Sequence, residues 1–388
     1  MIGFLTHPHH RFTQVFDWLF RWFPEPPQVH YGDPAGLAEF LAKVDDGAFD
    51  GVCLFQLDAC LPYLASQTKV IACPMYDASR NRPSSYFPKG DNVFYINMCR
   101  KLHQFISAHG GKSMYFQYAP NPATLPKVNW EAPLQAHFWE REPGDLDCRT
   151  AEVLARRLGC EILDFRQFQD KRLTFEPGKS SGQTAGPWKS YEENLKRISA
   201  SQVFIAPRRF EGIGMAFLEA MGMGCVVVAE NQATANEYIL HGSTGLLYAG
   251  DEEKICLFPP VQKSELPGIG NNSRNHIFRL HELSAETSSL ITTEIEKFLS
   301  GAKKSSARRE PELRNLCFET RGSTASFSSC PAKSPYSIYR NRKLAHEAEQ
   351  RKNPWFRLKE SLIRPKRKIR RVLQKNSARL DHWAKKLL

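Results

Sequence analysis

Two glutamates, eight residues apart, stand in a segment whose residue types suit a phosphorylated sugar. The stretch VFIAPRRFEGIGMAFLEAMGMGCVVVAEN, residues 203–231, predicts a strand, a turn, a helix and a second strand. Glu211 comes directly before a Gly-Ile-Gly turn, and Glu219 lies two turns into an otherwise apolar helix. Because carboxylates accept hydrogen bonds, both glutamates suit sugar hydroxyl groups.

The turn between these glutamates predicts an anion site. Ligands of an open parallel sheet bind at the carboxyl ends of its strands, where the following helices begin. The amide groups at a helix N-terminus favour a phosphate, and Gly212 and Gly214 leave them unshielded. Side chains on a helix tilt towards its N-terminus, so Glu219 leans towards the same place. An anion site with a hydroxyl acceptor on either side predicts a nucleotide-sugar as the ligand.

The whole segment resembles the donor site of retaining GT-B glycosyltransferases of the group 1 or family 4 type. That class has a Glu, seven residues and a second Glu, preceded by a strand and a proline, as in PRRFEGIGMAFLEAMGMGCVVVA. The following NEYILHGSTGLLYAGD is similar to the family's usual sequel, and YEENLKRISASQVFIAP resembles the helix and strand before the site. The clear resemblance covers residues 190–250.

The resemblance implies a role for each residue of the segment. Glu211 would contact the donor sugar as a catalytic carboxylate, and Glu219 would bind the ribose. The amide groups of Gly212, Ile213 and Gly214 would bind the diphosphate. An alternative for Glu219 is an exposed helix glutamate, but its neighbours along the chain are apolar.

Two acidic residues from other turns are predicted to line the same cleft. Glu237 lies in the turn after the second strand and is predicted to contact the donor, although its EYI context could instead start a short helix. Asp77 follows the apolar run VIACPM, where the family often carries a His or Asp that faces the donor. We predict that Asp77 contacts the acceptor hydroxyl as a general base, with a turn-capping Asp as the alternative.

The chain departs from the family at the cations of the diphosphate site. The first strand of the family's second domain usually ends in Gly-Arg, with a Lys farther on, whereas this chain has FWEREPGDLDCR. Arg141 is predicted to replace the Arg, and Arg149, Lys171 or Arg172 the Lys; a solvated surface charge is the alternative. No metal and no cofactor are expected, because cations and the helix dipole hold the leaving diphosphate in this class.

The apolar runs alternate with helical patterns and predict an α/β protein with two Rossmann-like domains that face each other across a cleft. We predict an acceptor domain over residues 1–120, a linker over 121–132 and a nucleotide-sugar domain over 133–300. A flexible connector over 301–335 and a basic amphipathic helical tail over 336–388 follow.

The net charge of +12 belongs to the tail, since residues 351–388 hold 14 Lys and Arg against 2 Asp and Glu. An apolar stripe with Trp383 lies opposite this basic face, as in helices that bind anionic membrane surfaces. The alternatives are a solvated tail and one that packs on the first domain. Nucleic acid is not expected, because no base-reading or stacking module accompanies the charge.

The cysteine pattern and the hydropathy of the sequence indicate the cellular compartment in which the protein works. The 10 cysteines are scattered and form no C-x-x-C pair, which is typical of buried thiols in a reducing compartment. No signal peptide and no membrane-spanning run of about 20 apolar residues is recognisable. We therefore predict a cytoplasmic protein, peripheral on the inner face of the cytoplasmic membrane.

The predicted activity is transfer of a hexose-type sugar, with retention, from a nucleotide-sugar to a glycan or lipid-linked acceptor. Cell-envelope polysaccharide or lipopolysaccharide synthesis is the expected setting. The alternatives are another GT-B activity, such as sugar epimerisation or phosphorolysis, and a catalytically degenerate protein that binds glycan or nucleic acid.

Overall fold

The structure is a computed structural model of the chain. It describes residues 1–11, 16–141, 146–166, 170–174, 182–185, 191–249, 256–257 and 261–301. The predicted tail, and the predicted connector beyond residue 301, lie outside these residues.

The first sheet has six parallel strands in the order β2-β1-β3-β4-β5-β6. These strands are β1 (Ile2–Thr6), β2 (Gln28–Tyr31), β3 (Gly51–Phe55), β4 (Val70–Cys73), β5 (Val93–Asn97) and β6 (Ser113–Tyr115). Its helices are α1 (Pro34–Asp45), α2 (Leu61–Gln67), α3 (Tyr76–Ser79) and α4 (Arg100–Ala108). Strands β1, β3, β4 and β5 are buried along their whole length, as expected of a parallel sheet covered on both faces.

The second sheet has eight strands in the order β10-β9-β8-β7-β11-β12-β13-β14. Its strands are β7 (Gln135–Trp139), β8 (Ile162–Arg166), β9 (Asp170–Thr174), β10 (Gly182–Ala185), β11 (Val203–Ile205), β12 (Val226–Glu230), β13 (Leu246–Ala249) and β14 (Cys256–Leu257). Its helices are α5 (Cys148–Arg157), α6 (Tyr191–Ser199), α7 (Met215–Met223), α8 (Ala235–Tyr238) and α9 (Leu266–Ser300). Neighbours from β8 to β13 pair in parallel, so the prediction of two parallel α/β sheets is confirmed; β9, β10 and β14 add antiparallel edges.

Short 3-10 helices connect several of these elements. They span Pro8–Arg11, Asp17–Trp22, Asp58–Cys60, Ser84–Tyr86, Pro122–Thr124 and Lys263–Glu265. The sequence of the aromatic stretch FTQVFDWLFRWF allows either a core position or an exposed patch. Phe16, Leu19 and Trp22 are buried at 2%, 0% and 0% exposure, so the described part of this stretch, residues 16–23, contributes to the core.

The long helix α9 joins the two sheets. It has 35 residues and is therefore about 52 Å long, enough to cross both domains. In its C-terminal half, Ser288 accepts a hydrogen bond from Trp22 Nε1 at 3.2 Å, and Phe298 lies 5.7 Å from the Phe94 ring of β5. The last turns of α9 therefore pack on the first sheet, although the chain enters α9 from the second.

Lys69 anchors the C-terminus of α9 to the first domain. Its Nζ is buried and donates to the carbonyls of Phe298 at 2.8 Å, Leu299 at 2.9 Å and Gly301. The last carbonyls of a helix lack intrahelical hydrogen-bond partners and have a partial negative charge. An ammonium group donates hydrogen bonds to these carbonyls and compensates their charge.

We expect Lys69→Met to lower the free energy of unfolding by about 2 kcal/mol, because three carbonyls lose a charged donor. Urea denaturation measures this change. Lys43→Met is the matched control: Lys43 forms a surface pair with Glu39 at 2.9 Å, and its loss should cost clearly less than that of Lys69. Equal costs for the two variants would contradict an anchoring role for Lys69.

Candidate functional site

The predicted anion site lies where β11 of the second sheet leads into α7. Gly214 precedes the first residue of α7 with φ +82°, a left-handed conformation that favours glycine. A Cβ on Gly214 would lie 1.9 Å from the Phe217 ring. Leu218 is the first amide of the helix to pair with a backbone carbonyl, that of Gly214 at 3.1 Å. The amide groups before Leu218 therefore lie at a helix N-terminus, a position that favours an anion, and the predicted diphosphate contact of Gly212, Ile213 and Gly214 stays a prediction.

This helix end faces the first domain. A Cβ on Gly212 would lie 2.8 Å from Met75 Sδ and 3.0 Å from Asp77 Oδ1, both just beyond the end of β4. The side chain of Ile213 points inward and is 6% exposed. The three residues predicted to bind the diphosphate thus form one turn, placed where the two sheet domains meet.

Glu211 is held by a backbone contact from the next turn along the sheet. Glu211 is 7% exposed, and its backbone carbonyl accepts a hydrogen bond from Thr234 Oγ1 at 2.7 Å. Thr234 is fully buried and has φ +75°, which is strained for a β-branched residue. Backbone strain at Thr234 therefore accompanies a contact that fixes the position of Glu211.

Glu219 is a buried carboxyl group on the apolar helix α7. The residue is 5% exposed, and its Oε1 accepts a hydrogen bond from the Tyr191 hydroxyl at 2.7 Å. Burial raises the pKa of Glu219 to about 7, against the smaller opposing effect of the Tyr191 hydrogen bond. The exposed-glutamate alternative is wrong, because the side chain is buried.

The raised pKa of Glu219 predicts a pH-dependent stability. The folded chain favours the neutral carboxyl, so this contribution is complete below pH 4.5 and is lost as the pH rises through about 7. We expect wild-type protein to lose about 3 kcal/mol between pH 4.5 and 8 through this group. Urea denaturation across that range should show a flatter profile for Glu219→Gln; identical profiles would contradict the shift.

Asp77 and Glu211 come from different domains, and Arg208 connects them. Arg208 Nη1 lies 2.7 Å from Asp77 Oδ2 and 3.8 Å from Glu211 Oε2. Asp77 lies in the first turn of the short helix α3, and its general-base role stays a prediction. Sequence reasoning missed Arg208, although a cation three residues before the first glutamate was the available signal.

Glu237 contacts the first domain. Its carboxylate accepts from the Arg100 amide at 2.8 and 2.9 Å, from the Tyr115 hydroxyl at 2.8 Å and from Cys99 Sγ at 3.3 Å. It thereby caps the N-terminus of α4 across the domain boundary. Glu237 lies within the short helix α8, which begins at Ala235, and its predicted donor contact stays a prediction.

The predicted phosphate cations lie on the surface or outside the described side chains. Arg141 follows β7, the neighbour of β11, and is exposed with its guanidinium 5.4 Å from the Trp139 ring centroid. Arg149 is an exposed residue of α5. The side chains of Lys171 and Arg172, on β9, lie outside the described residues. The diphosphate role of Arg141 stays a prediction.

The described residues form neither a metal-binding cluster nor a membrane-spanning helix. Within that part of the chain, no group of three or more His, Cys, Asp or Glu is arranged to hold a metal ion. None of the described helices is long and apolar enough to span a membrane. Metal independence stays a prediction.

Comparison with known proteins identifies the same region. A family model described as "Glycosyl transferases group 1" matches residues 188–256. The lipopolysaccharide core biosynthesis mannosyltransferase LpsB of Rhizobium meliloti is 44% identical over 87 residues, which are 20% of this chain and 25% of LpsB. The chain thus matches a quarter of the length of this curated relative.

The likeness to one solved structure extends to both domains. Sucrose-phosphate synthase from Thermosynechococcus elongatus superposes with a TM-score of 0.53 and 13% identity, over 76% of this chain and 99% of that one. Anabaena Alr3699/HepE, solved in complex with UDP and glucose, gives a TM-score of 0.44 and 15% identity, over 78% and 99% of the two chains. The chain therefore has a GT-B fold, and the segment of its second domain over residues 188–256 matches the group 1 glycosyl transferase model.

Proposed function

We propose that this protein is a glycosyltransferase that moves a sugar from a nucleotide-sugar to a glycan or lipid-linked acceptor. The observation that carries the proposal is the N-terminus of α7, which faces the first domain between two buried glutamates, Glu211 and Glu219. A helix end favours a phosphate, and carboxylates favour hydroxyl groups. A nucleotide-sugar contains both kinds of group.

The donor would replace contacts that the chain makes with itself. The diphosphate would accept hydrogen bonds from the amides of the turn 212–214 and the first turn of α7. A ribose hydroxyl would donate to Glu219, where the Tyr191 hydroxyl now donates at 2.7 Å. A hydroxyl of the transferred sugar would donate to Glu211. Burial favours the neutral form of Glu219, and a hydrogen bond from the ribose hydroxyl would favour the ionised form, as the Tyr191 hydroxyl does now.

The transfer step would break the bond between the anomeric carbon and the diphosphate oxygen and form a bond to the acceptor oxygen. The electron pair of the broken bond leaves with the diphosphate, whose growing charge the amides of α7 would stabilise. The acceptor's proton would pass to a carboxylate, for which Asp77 of the first domain is our candidate. We propose that the transfer retains the configuration at the anomeric carbon.

The relatives suggest which substrates to test first. LpsB is by its name a mannosyltransferase of lipopolysaccharide core synthesis, so a mannosyl donor and a core oligosaccharide acceptor are the first candidates. The basic tail over 336–388 would bring the enzyme to an anionic membrane surface, on the cytoplasmic face, where lipid-linked acceptors lie.

Thermal shift with UDP, GDP, CMP and ADP tests the donor site, and hydrolysis of the matching nucleotide-sugars tests the chemistry. We expect one nucleotide family to stabilise the wild type, and Glu219→Ala to lose that stabilisation. A sugar epimerase would change the donor without consuming it, and a degenerate binder would leave every donor intact. Lack of stabilisation by all four families would contradict the proposal.

A further inference from the structure

Arg208 lies between the two carboxylates that the proposed function places at the reaction. Its Nη1 pairs with Asp77 of the first domain at 2.7 Å and lies 3.8 Å from Glu211 of its own loop. The side chain of Arg208 is only 21% exposed and that of Asp77 18%. Partial burial strengthens such a pair relative to one on the open surface.

Further contacts join the same two segments. The Arg80 guanidinium of the first domain lies 3.7 Å from the centroid of the Phe210 ring, and the Tyr76 ring lies 6.4 Å from it. Met75 lies against Gly212. The cleft is therefore closed at the point where the diphosphate would enter, and the ion pair of Arg208 with Asp77 lies across that closure.

The electrostatics of this point change when an anion arrives. Asp77 Oδ1 is buried without a hydrogen-bond partner among the described residues, and it faces Gly212. A diphosphate on the amides of α7 would place its negative charges beside this carboxylate, which raises the energy of both. A guanidinium binds phosphate and carboxylate oxygens with the same geometry, so Arg208 can exchange one for the other.

We infer that the ion pair of Asp77 with Arg208 is a latch that holds the cleft closed without donor, and that Arg208 leaves Asp77 for the diphosphate when the donor binds. The inference rests on the proposed function. It makes Arg208 a phosphate cation from the loop before α7, in addition to the candidate Arg141 that follows β7. It also frees the Asp77 carboxylate for the acceptor only after the donor is in place.

The test is a double-mutant cycle measured by calorimetry, with the nucleoside diphosphate that stabilises the wild type and its parent nucleoside as ligands. Asp77→Asn should tighten diphosphate binding about 10-fold, because Arg208 no longer has to leave a carboxylate. Arg208→Gln should weaken it about 10-fold or more and leave nucleoside binding unchanged. In the Arg208→Gln background, Asp77→Asn should gain less than about threefold, because only the repulsion between the Asp77 carboxylate and the diphosphate is then relieved.

Arg209→Gln is the matched control. Arg209 is the next residue, but it pairs within its own domain with Glu230 at 2.9 Å, so its loss should change diphosphate binding by less than about twofold.

If Arg208→Gln fails to fold, Arg208→Lys replaces it and should retain part of the affinity. X-ray scattering of ligand-free Asp77→Asn should show a larger radius of gyration than the wild type.

The outcomes separate this inference from the function on which it rests. Wild-type protein that binds no nucleoside diphosphate overturns both. Normal binding with an Asp77→Asn gain that is as large in the Arg208→Gln background as in the wild type overturns the exchange alone and leaves simple repulsion by Asp77. An unchanged affinity in Arg208→Gln, or an equal radius of gyration in ligand-free Asp77→Asn, likewise overturns the latch.

Discussion

Gly214→Ala should lower the free energy of unfolding by about 3 kcal/mol and abolish nucleotide binding. A Cβ at this position would lie 1.9 Å from the Phe217 ring, in a backbone with φ +82°. Either the ring or the helix end has to move, and overpacking of this kind costs about 1–3 kcal/mol in addition to the strain of the left-handed conformation. Movement of the helix end displaces the amides that would bind the diphosphate.

The control for Gly214 lies on the surface of the first domain. Gly47 has φ +70° and open space where a Cβ would be added, so Gly47→Ala carries the conformational strain without the clash. We expect this variant to lose about 1 kcal/mol and to bind nucleotide like the wild type. Urea denaturation and calorimetry compare the two variants. If both lose the same stability and both bind nucleotide, the close contact with Phe217 does not position the site.

Glu211→Gln should reduce sugar transfer about 100- to 1,000-fold and change nucleoside diphosphate binding by less than about threefold. Glu211 would contact the transferred sugar, which the free nucleoside diphosphate lacks. Its backbone carbonyl would keep the hydrogen bond from Thr234, so the loop should hold its conformation. Initial rates with saturating donor, together with calorimetry on the same protein, separate the two effects.

Glu230→Gln is the comparison for Glu211→Gln. Glu230 ends β12 at the same edge of the second sheet, but its carboxylate pairs with Arg209 at 2.9 Å. We expect transfer by Glu230→Gln to stay within about threefold of the wild type. Equal losses in the two variants would mean that any acidic residue at this edge matters, and the role assigned to Glu211 would be wrong.

The sequence was sufficient to predict the elements that its apolar pattern encodes. Fully buried strands such as Gly51–Phe55 and Val93–Asn97 are continuous apolar runs, and parallel sheets bury such runs on both faces. The hairpin of β9 and β10 has no such pattern in DKRLT and GQTA, and it was not predicted. The return of α9 to the first sheet depends on distant contacts, such as that between Lys69 and Phe298, which local spacing cannot show.

The candidate site likewise contains residues whose proximity the sequence predicts and contacts that it does not predict. Glu211, Gly214 and Glu219 lie in one strand–turn–helix segment, so their spacing in the sequence predicts their spacing in space. The partners of Asp77 and Glu237 could not be predicted. Asp77 pairs with a residue 131 positions away, and Glu237 with an amide 137 positions away, because both contacts form only where the two domains meet.

The central claim is that the N-terminus of α7 binds the diphosphate of a nucleotide-sugar. A crystal structure of the protein with the nucleoside diphosphate that stabilises it tests this claim most directly. We predict phosphate oxygens within hydrogen-bond distance of the amides of Gly214 and Met215, and a ribose hydroxyl on the Glu219 carboxylate. Phosphates bound elsewhere, with Glu219 still accepting only from Tyr191, would contradict it.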